Sequence, residues 1–564
     1  MPVPDRSHAM DHVVLVLFEN RSLDNVLGHL YGPGDGKTFE GVIGKDLSNP
    51  IPEWAEHGAE RKTVPYIVAT DMDAPNPDSG EEYFHTNTQL FNTLDEHNRF
   101  KIGEAGSAPW NVPPPGTEPT MDGFVTDYIG TFTGEVGRQP TYAEYAQIMT
   151  GYTPEQVPVL NGIARAFGVF DHWFCEVPSQ TFMNRSFWMA GTSSGFVTNF
   201  PALKWTTENT AETLFDRLEA HGRTWKVYVL EPARISFTGW IHMPRLKDRL
   251  ATHFVPFSEF ERDAANGTLP DFCLIEPHLI AGHGDYHPAE GRSLIGHNVN
   301  LEFDPPSSIL AGENFLDRIY RAIKTADSRE GSNAYSTTFF IGWDEPGGTY
   351  DHVPPGPVPP PDPSAPAGQC DFRFDRSGYR VPAIIVSPWV QEGIVINDEY
   401  RHTSLLATLR KVWDLGDAFT DRDAAARTFD HMLSRDTPRD PATWPDFQPR
   451  PVPEWQLTRV QFGEVLSNLG KAIGPGFLEH AQQSGFEVPA ELTDPDHPPT
   501  PKQLADFIFE IAAKYFPSLV PEDTERRPDL PIGHHQAPRN HRTRLVTNHV
   551  SRPSDPSVSH EGGG

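Results

Sequence analysis

Short, nearly uninterrupted apolar runs are the feature that most constrains the fold of this chain. The run VVLVLF occupies residues 13–18, and similar runs occupy residues 224–230, 272–275, 338–341 and 383–386. Runs of this length are short for a helix and do not alternate with polar residues as half-exposed strands do. Near-continuous apolar strands are typical of parallel sheets, which are covered on both faces. The sequence therefore predicts a set of fully buried strands.

Helical patterns lie between these runs. Apolar residues recur at helical spacing over residues 213–221, 314–326 and 405–413. Thr403 or Ser404 is the predicted N-cap of the third of these helices. Strands that alternate with helices predict an α/β fold, in which a mainly parallel β-sheet is sandwiched by helices.

Composition divides the chain into three parts. Residues 1–415 carry the strand and helix patterns of the main domain, and their proline-rich stretch at 354–368 predicts a long surface loop. Residues 416–520 predict a mostly helical C-terminal extension, and the composition of residues 521–564 predicts a disordered tail. One helical stripe in the extension is formed by Leu504, Phe507, Ile508, Ile511 and Tyr515.

Charge and cysteine content restrict the partners and the compartment. The sequence has 46 Lys and Arg residues against 77 Asp and Glu residues, a net charge of -31, so no nucleic-acid partner is expected. No apolar stretch approaches the roughly 18 residues of a membrane span, so no integral membrane segment is expected. Three cysteines cannot form a disulfide framework, and no signal peptide is visible at the N-terminus. These features predict a cytoplasmic protein.

Oxygen-bearing side chains follow two of the predicted strands. Glu19 and Asn20 come directly after the first apolar run, and Asp344 and Glu345 come shortly after the run at 338–341. Ligands of open α/β sheets bind beyond the carboxyl ends of the strands. A single carboxylate there could mark a solvated strand end, but two pairs favour a metal site. The expected cofactor is one or more divalent metal ions, with Mg²⁺, Ca²⁺ and Mn²⁺ favoured by oxygen ligands.

A hydroxyl group stands at the predicted start of another helix. Pro178 and Ser179 break the preceding structure, Thr181 follows, and Gly191 ends the helix. A threonine at this position is commonly an N-cap, but a helix N-terminus also favours phosphate, which the hydroxyl could attack. Arg185, one turn later, could pair with phosphate oxygens or with a carboxylate.

Ser193 is a competing nucleophile in the same segment. Residues 191–195 fit the nucleophile-elbow pattern, with Ser193 as the serine. An elbow needs a strand before the serine and a helix after it, whereas here a helix precedes and an extended segment follows. Ser193 therefore supports only an alternative hypothesis, in which the protein is a serine esterase that uses Ser193 as its nucleophile.

Two loop histidines are candidates for catalysis. His287 lies in a polar, glycine-rich loop beyond the run at 272–275, and His352 follows the turn at Gly347 and Gly348. Either could instead be an ordinary hydrogen-bonded loop histidine. His402 could serve only to cap the helix that follows it.

Several longer motifs occur together in one order. They are ENRSLDN at 19–25, VPSQTFMNR at 177–185, DYHP at 285–288, WDEPGGTYDHVPPG at 343–356 and YRHTS at 400–404. Over roughly residues 10–415 the chain resembles the phosphatidylcholine-type phospholipase C and acid phosphatase A family, which belongs to the alkaline phosphatase and sulfatase-like superfamily. The resemblance implies a superfamily fold and a phosphoesterase catalytic domain over residues 1–415.

The resemblance also implies roles for particular residues. The metal ligands of the family fall on Glu19, Asn20, Asp344 and Glu345, and its hydroxyl nucleophile falls on Thr181. The family's His-Pro histidine falls on His287, which would contact the phosphate or the leaving group, and His352 matches the histidine of the family's Asp-His pair. Asn184 and Arg185 of the same motif are assigned to the substrate phosphate. Members of the family are often exported, which is the alternative to the cytoplasmic prediction.

The chain departs from the family pattern at a few positions. Glu81 stands where relatives have a phosphate-contacting histidine, unless His85 takes over that role, and we assign Glu81 to the phosphate site. Asn25 and Asn397 also replace histidines. A carboxylate at position 81 would disfavour a dianionic phosphate unless it were protonated or bound to metal. These departures bear on substrate class more than on fold.

The leading hypothesis is therefore a metal-dependent phosphoric ester hydrolase with a threonine nucleophile. The expected partner is a phosphate ester, with phospholipids among the candidates, and the choice between monoester and diester stays open. The alternatives are the serine esterase and an inactive family member that binds phosphate or a lipid head group.

Overall fold

The computed structural model describes residues 5–199, 202–230, 235–277, 284–288, 308–452, 482, 488–489, 492 and 513–519. In chain order the strands are β1 (His12–Phe18), β2 (Ser48–Pro50), β3 (Thr63–Pro65), β4 (Ile67–Val68), β5 (Thr150–Gly151), β6 (Gly168–Phe170), β7 (Trp173–Phe174), β8 (Trp225–Val229), β9 (Phe254–Pro256), β10 (Phe272–Glu276), β11 (Thr337–Trp343), β12 (Ala383–Val386), β13 (Ile394–Ile396) and β14 (Tyr400–Arg401). The helices are α1 (Leu23–Leu27), α2 (Tyr83–Phe91), α3 (Phe124–Val136), α4 (Tyr142–Ala146), α5 (Pro158–Ala166), α6 (Thr181–Ala190), α7 (Ala202–Glu208), α8 (Leu214–Ala220), α9 (Phe237–Ile241), α10 (Met243–Leu246), α11 (Leu250–His253), α12 (Phe257–Asn266), α13 (Ile309–Lys324), α14 (Thr403–Trp413) and α15 (Asp421–Ala424).

Eight strands form one large sheet in the order β13-β6-β12-β11-β1-β10-β8-β9. Strand β12 runs antiparallel to its neighbours β11 and β6, and every other neighbouring pair is parallel. The predicted mainly parallel sheet is thus confirmed, as are the five strands predicted from apolar runs. The run at residues 383–386 could not reveal that its strand is the antiparallel one.

Burial explains why these strands read as continuous apolar runs. Nearly every residue of β1 and every residue of β10 and β11 is buried, although successive side chains point to opposite faces. Both faces of the sheet are therefore covered. Helix α5 contacts β6 and β12, while α12 contacts β8 and β9.

A second, smaller core lies beside the sheet. It includes Leu90, Phe124, Ile129, Tyr145 and Tyr379, drawn from α2, α3, α4 and the strand-to-strand loops. Helices α2 and α3 pack against each other in this core. Because α2 begins directly after Glu82, this packing fixes the end of the loop that precedes the helix.

Two helix starts differ from the sequence predictions. Helix α13 begins at Ile309 rather than at residue 314, because Ser308 caps it by accepting a hydrogen bond from the amide of Leu310 at 3.2 Å. The N-cap of α14 is His402, not Thr403 or Ser404. Thr403 instead donates its hydroxyl to Glu176 at 2.8 Å.

The described part of the predicted extension joins the main core. Within residues 416–452, Phe429 and Trp444 are buried in the same cluster as the sheet. The predicted helical stripe at 504–515 lies almost entirely outside the described residues, and the predicted tail at 521–564 lies wholly outside them. Among the helices that the structure describes, none combines the length and the hydropathy needed to cross a membrane.

Candidate active site

The register of β1 and β11 brings the predicted metal ligands together. The two strands are parallel and pair Phe18 with Trp343, so the next residues, Glu19 and Asp344, leave the sheet side by side. Asn20 and Glu345 follow them, and all four side chains are buried. Asn20 adopts the left-handed conformation, with a φ of 59°, which asparagine tolerates better than most residues.

A buried arginine lies between two of these carboxylates. Arg185 places Nη2 3.2 Å from Oε1 of Glu19 and Nε 3.1 Å from Oδ2 of Asp344. Its Nη1 is buried and has no hydrogen-bond partner among the described residues. Of the two roles considered for Arg185 from the sequence, the structure therefore shows the pairing with carboxylates. The unpaired Nη1 leaves one donor for a phosphate oxygen.

Three buried oxygen atoms of the predicted ligands have no hydrogen-bond partner among the described residues. They are Oε2 of Glu19, Oδ1 of Asn20 and Oε1 of Glu345. Buried polar atoms are rarely left unpaired unless an ion, a water molecule or a ligand satisfies them. Two carboxylates and one amide are the oxygen donors that hard divalent cations prefer. The residues present therefore fit a divalent metal ion.

Burial keeps these carboxyl groups from ionising easily. Burial raises the pKa of Asp344 to about 6 although Arg185 opposes this effect. Burial also raises the pKa of Glu19 and Glu345 well above the usual range, and neighbouring carboxylates add to the shift. A bound cation would reverse this preference because it stabilises the ionised carboxylates.

A glycine pair lets a distant loop approach the ligands. Gly347 and Gly348 have φ values of 59° and 69°. A Cβ atom at Gly347 would lie 2.5 Å from Cβ of Asn20, and one at Gly348 would lie 2.5 Å from the carbonyl oxygen of Gly80. Glycine is therefore required at both positions, and the close contact brings Glu81 against the Asn20 and Glu345 side chains.

Glu81 and His287 both contact the amide of Asn20. Nδ2 of Asn20 lies 2.5 Å from Oε2 of Glu81 and 2.8 Å from Nε2 of His287. Asp78 places Oδ2 3.7 Å from the same ring nitrogen. Asp78 was missed from the sequence, because only the fold brings its loop to the strand ends.

Thr181 is the first residue of α6, as predicted, and Gly191 ends the helix with a φ of 68°. The Thr181 hydroxyl makes no hydrogen bond to any residue that the structure describes, and Arg185 lies one turn later on the same helix face. The neighbouring amide of Phe182 donates to Oδ1 of Asn199 at 2.9 Å. That amide is therefore not open to a phosphate.

Asn184 is placed differently from its predicted role. Its Oδ1 accepts hydrogen bonds from the amides of Glu176 and Val177, both at 2.9 Å. Its Nδ2 donates to the carbonyl groups of Val177, Ser179 and Gln180. These bonds leave the amide no group for a phosphate, contrary to the sequence prediction. Asn184 instead holds the loop that leads into α6.

His352 belongs to a separate, partly buried cluster. Its Nδ1 lies 2.6 Å from Oδ2 of Asp24, and its Nε2 lies 3.0 Å from Oε1 of Glu40. Arg380 pairs with Asp24 and with Asp351, each at 2.9 Å. Burial favours the neutral ring, but Asp24 holds the pKa of His352 above its usual value. The structure gives His352 no contact with the Glu19 and Asp344 side chains.

Two other polar residues discussed from the sequence are engaged elsewhere. His85 directs Nδ1 to Oδ1 of Asp127 at 2.7 Å, in the second core. Ser193 is buried and donates its hydroxyl to the carbonyl of Phe196 at 2.6 Å. No histidine or carboxylate in the described part of the chain hydrogen-bonds Ser193, so the serine esterase lacks a general base.

Comparison with known proteins finds relatives that are named phospholipases C. A relative, the non-specific phospholipase C6 of Arabidopsis thaliana, is 30% identical over 484 residues, which cover 83% of this chain and 81% of that protein. Phospholipase C B of Mycobacterium tuberculosis is 23% identical over 441 residues, covering 72% of this chain and 74% of that protein. A solved structure of a protein in the alkaline phosphatase superfamily from Vibrio parahaemolyticus has 12% identity and a TM-score of 0.29, and the match covers 71% of this chain and all of that chain.

The family model described as "Phosphoesterase family" matches residues 10–416. This span includes Glu19 and Asp344, which directly follow β1 and β11, and Thr181, which begins α6. The chain belongs to the phosphoesterase family.

Proposed function

We propose that this hydrolase cleaves phosphoric esters through a nucleophilic attack by Thr181, with a divalent metal ion bound by Glu19, Asn20, Asp344 and Glu345. The observation that carries the proposal is the set of three unpaired buried oxygens of Glu19, Asn20 and Glu345 beside Arg185. Arg185, which contacts Glu19 and Asp344, lies one helical turn after Thr181. Thr181 therefore lies on the same side of α6 as the side chain that contacts these two ligands.

Each side chain of the site has a separate role in the reaction. When bound, a divalent cation supplies Lewis acidity and stabilises negative charge on phosphate oxygens and on the attacking hydroxyl. The Thr181 oxygen forms the new O–P bond and its hydroxyl gives up a proton, while the bond from phosphorus to the leaving alkoxide breaks and the alkoxide takes up a proton, so the step is balanced. Water then hydrolyses the phosphothreonine and restores the hydroxyl. Nη1 of Arg185 supplies a donor for a phosphate oxygen, and Asn184 keeps the start of α6 in place.

We assign protonation of the leaving alkoxide to His287, which must first be protonated on Nε2. Its Nδ1 lies 2.8 Å from the carbonyl oxygen of Pro288, which can only accept, so Nδ1 carries a hydrogen. Nε2 of the neutral ring is then unprotonated and must take a proton before it can donate one. Asp78, 3.7 Å away, would stabilise the charged ring.

The substrate class is proposed from the relatives, which are named phospholipases C. We propose a phospholipid or another phosphoric diester as substrate, with phosphomonoesters as the competing class. A screen of phosphocholine esters, phospholipids and phosphomonoesters, with and without added Mg²⁺, Ca²⁺ or Mn²⁺, separates these classes. If none of these compounds is hydrolysed, the result would support the alternative of an inactive family member that only binds phosphate or lipid head groups.

Substitution of the two hydroxyl residues tests the nucleophile. Thr181→Ala should lower kcat by several orders of magnitude, because the covalent step is lost. Thr181→Ser should retain measurable activity, because the hydroxyl remains. Ser193→Ala is the matched control and should have wild-type kinetics. Circular dichroism confirms folding of each variant. An active Thr181→Ala together with an inactive Ser193→Ala would reverse the assignment.

A further inference from the structure

We infer that Gly312 and Glu313 of helix α13 are positioning residues for His287 and act on it through Tyr286. The inference rests on the proposed function, because His287 is the residue that would protonate the leaving alkoxide. Tyr286 directly precedes His287 in the chain that follows β10. Buried contacts from α13 to this tyrosine carry the inference.

The backbone of Tyr286 determines the direction in which His287 leaves its loop. Tyr286 has a φ of 75°, in the left-handed region, which is unfavourable for a bulky side chain. On one side of it, the carbonyl of Asp285 accepts a hydrogen bond from the amide of Glu19 at 2.9 Å. On the other side, the amide of His287 donates to Oδ1 of Asp285 at 3.0 Å. A change in the Tyr286 conformation would therefore turn His287 relative to the end of β1.

The hydroxyl of Tyr286 is fixed by a buried carboxylate. It donates to Oε1 of Glu313 at 2.7 Å. Burial and the charge of Glu313 raise the pKa of Tyr286 well above its usual value, so the hydroxyl keeps its proton and remains the donor. Glu313 is itself fixed at the start of α5, where it accepts hydrogen bonds from the amides of Val159 at 2.6 Å and Leu160 at 2.9 Å. The Tyr286 hydroxyl is therefore tied to both α13 and α5.

The ring of Tyr286 is enclosed between α13 and the ends of two strands. A Cβ atom at Gly312 would lie 2.3 Å from Cδ2 of Tyr286, so only glycine at position 312 lets the ring lie against the helix. The ring centroid lies 4.8 Å from that of Phe18 and 5.3 Å from that of Trp343, both in edge-to-face geometry. Phe18 and Trp343 are the last residues of β1 and β11, directly before the proposed metal ligands. The ring therefore links α13 to the strand ends of the active site.

The carbonyl of Tyr286 is also engaged. It accepts a hydrogen bond from Nε of the buried Arg21 at 2.7 Å, and Nη1 of Arg21 donates to the carbonyl of Ala74 at 2.6 Å. A buried tyrosine ordinarily needs only a partner for its hydroxyl. Restraints at the hydroxyl, the ring and the carbonyl of one residue indicate that the fold maintains its unfavourable backbone conformation. The residue that this conformation directs is His287.

The dependence of turnover on the leaving group distinguishes positioning from a general loss of structure. Two esters with the same phosphoryl group are compared: a short-chain phosphatidylcholine, whose alkoxide must be protonated, and para-nitrophenyl phosphocholine, whose phenolate leaves without a proton. If the substrate screen identifies phosphomonoesters, glycerol phosphate and para-nitrophenyl phosphate replace them. Tyr286→Phe and Gly312→Ala should lower kcat for the ester with the alkoxide by roughly 10- to 100-fold, because the acid is misplaced, and leave kcat for the para-nitrophenyl ester almost unchanged.

Tyr320→Phe is the matched control. Tyr320 is another buried tyrosine of α13, and its hydroxyl donates to the carbonyl of Pro445 at 2.8 Å, outside the active site. This variant should keep wild-type kcat for both esters. Gly312→Ala is informative because alanine favours a helix more than glycine does, so its effect arises from the contact with Tyr286. Circular dichroism and melting curves confirm that each variant folds.

His287→Gln separates this inference from the proposed function. It should lower kcat for the ester with the alkoxide by about 100-fold or more and affect the para-nitrophenyl ester far less. If His287→Gln shows this selectivity but Tyr286→Phe and Gly312→Ala do not, the positioning role alone is overturned. If His287→Gln lowers kcat for both esters equally, His287 is not the acid, and the proposed function loses that step.

Crystal structures of the variants test the positioning role without turnover. In wild type and in Tyr320→Phe, Nε2 of His287 should lie at its present 2.8 Å from Nδ2 of Asn20. In Tyr286→Phe and Gly312→Ala it should be displaced by about 1 Å or more, the scale at which misplacement affects catalysis. An unchanged His287 in both variants would overturn the inference, whatever the activity of the chain. A displaced His287 in a chain whose His287→Gln variant lacks selectivity would leave the positioning role standing and remove only the acid.

Discussion

At the scale of single residues, Arg185 is the side chain on which the arrangement of the site most depends. It is fully buried and pairs with both Glu19 and Asp344. Removing one member of a buried ion network typically costs about 3–5 kcal/mol, because the remaining charges lose their partner. Arg185→Met should therefore lower the metal-free free energy of unfolding by about that amount, and added Mg²⁺ should recover part of the loss.

Urea unfolding with and without Mg²⁺ measures this effect. Arg138→Met is a control, because Arg138 pairs with Glu144 at the surface, where such pairs contribute about 0–1 kcal/mol. If Arg185→Met and Arg138→Met lose equal free energies of unfolding, the buried ion pairs of Arg185 stabilise the fold no more than a surface ion pair does.

The burial of His402 predicts how the free energy of unfolding depends on pH. Its Nδ1 accepts a hydrogen bond from Nε1 of Trp173 at 3.1 Å, its Nε2 donates to the carbonyl of Asp344 at 2.6 Å, and its ring stacks on Trp188. Burial lowers the pKa of His402 to about 4. The unfolded chain therefore binds a proton at higher pH than the folded chain does. The stability contributed by the neutral ring is complete above about pH 6.5 and is lost as the pH falls toward 4, by up to about 3 kcal/mol.

His402→Asn measures this contribution. The difference in free energy of unfolding between wild type and His402→Asn should be larger at pH 7 than at pH 5, because only wild type has this group to protonate. Urea titrations at the two pH values determine the difference. A difference that does not change with pH would contradict a buried neutral His402.

The residues of the site differ in how far sequence could predict them. Glu19 and Asp344 were placed together because strand ends share an edge in a parallel sheet. Asp78 could not be found in this way, since its position depends on the contact that Gly348 makes with Gly80. The role of Asn184 was also beyond sequence, because a motif does not show whether an amide faces a ligand or a loop.

At the scale of elements, α6 and the loop before it determine where Thr181 lies. Asn184 makes five hydrogen bonds to the backbone of this loop. Asn184→Ala should lower kcat with little change in KM, because the nucleophile loses its fixed position while the other substrate contacts remain. Stability should also fall by about 1–3 kcal/mol, since buried backbone groups lose their partners.

Asn161 offers a matched control. It is a buried asparagine in α5 that donates to the carbonyl groups of Val26 and Val157. Asn161→Ala should lose stability but keep its kcat. Steady-state kinetics and thermal melting of both variants separate positioning from stability, and equal kcat values would show that the Asn184 loop has no effect on Thr181.

The elements that sequence predicted share one property, which is an uninterrupted apolar pattern. Strands β1, β10 and β11 were found because both of their faces are buried. The three-residue strands β6 and β13 were not predicted, because so short a segment carries no period and is defined only by its partners in the sheet.

At the scale of the whole molecule, the core extends beyond the boundary that composition suggested at residue 415. Arg422 is buried and pairs with Glu176 at 2.6 Å, and Glu176 also accepts a hydrogen bond from the amide of Thr403. Phe429 packs against Trp173 and Phe340. Sequence composition could not show this, because a boundary of composition need not be a boundary of packing.

A truncated chain tests the dependence of the fold on this segment. A chain that ends at Leu415 lacks Arg422, so the carboxylate of Glu176 is left buried without its partner, beside the loop that leads to Thr181. It also lacks Phe429 and Trp444, whose burial typically contributes a few kcal/mol each. We expect this chain to be insoluble or to melt far below the full chain.

A chain that ends at residue 520 is the control, because it lacks only the predicted tail. It should keep the melting temperature and the activity of the full chain. Gel filtration and melting by circular dichroism measure both. A folded, active monomer ending at Leu415 would show that residues 416–452 lie on a domain that is already complete.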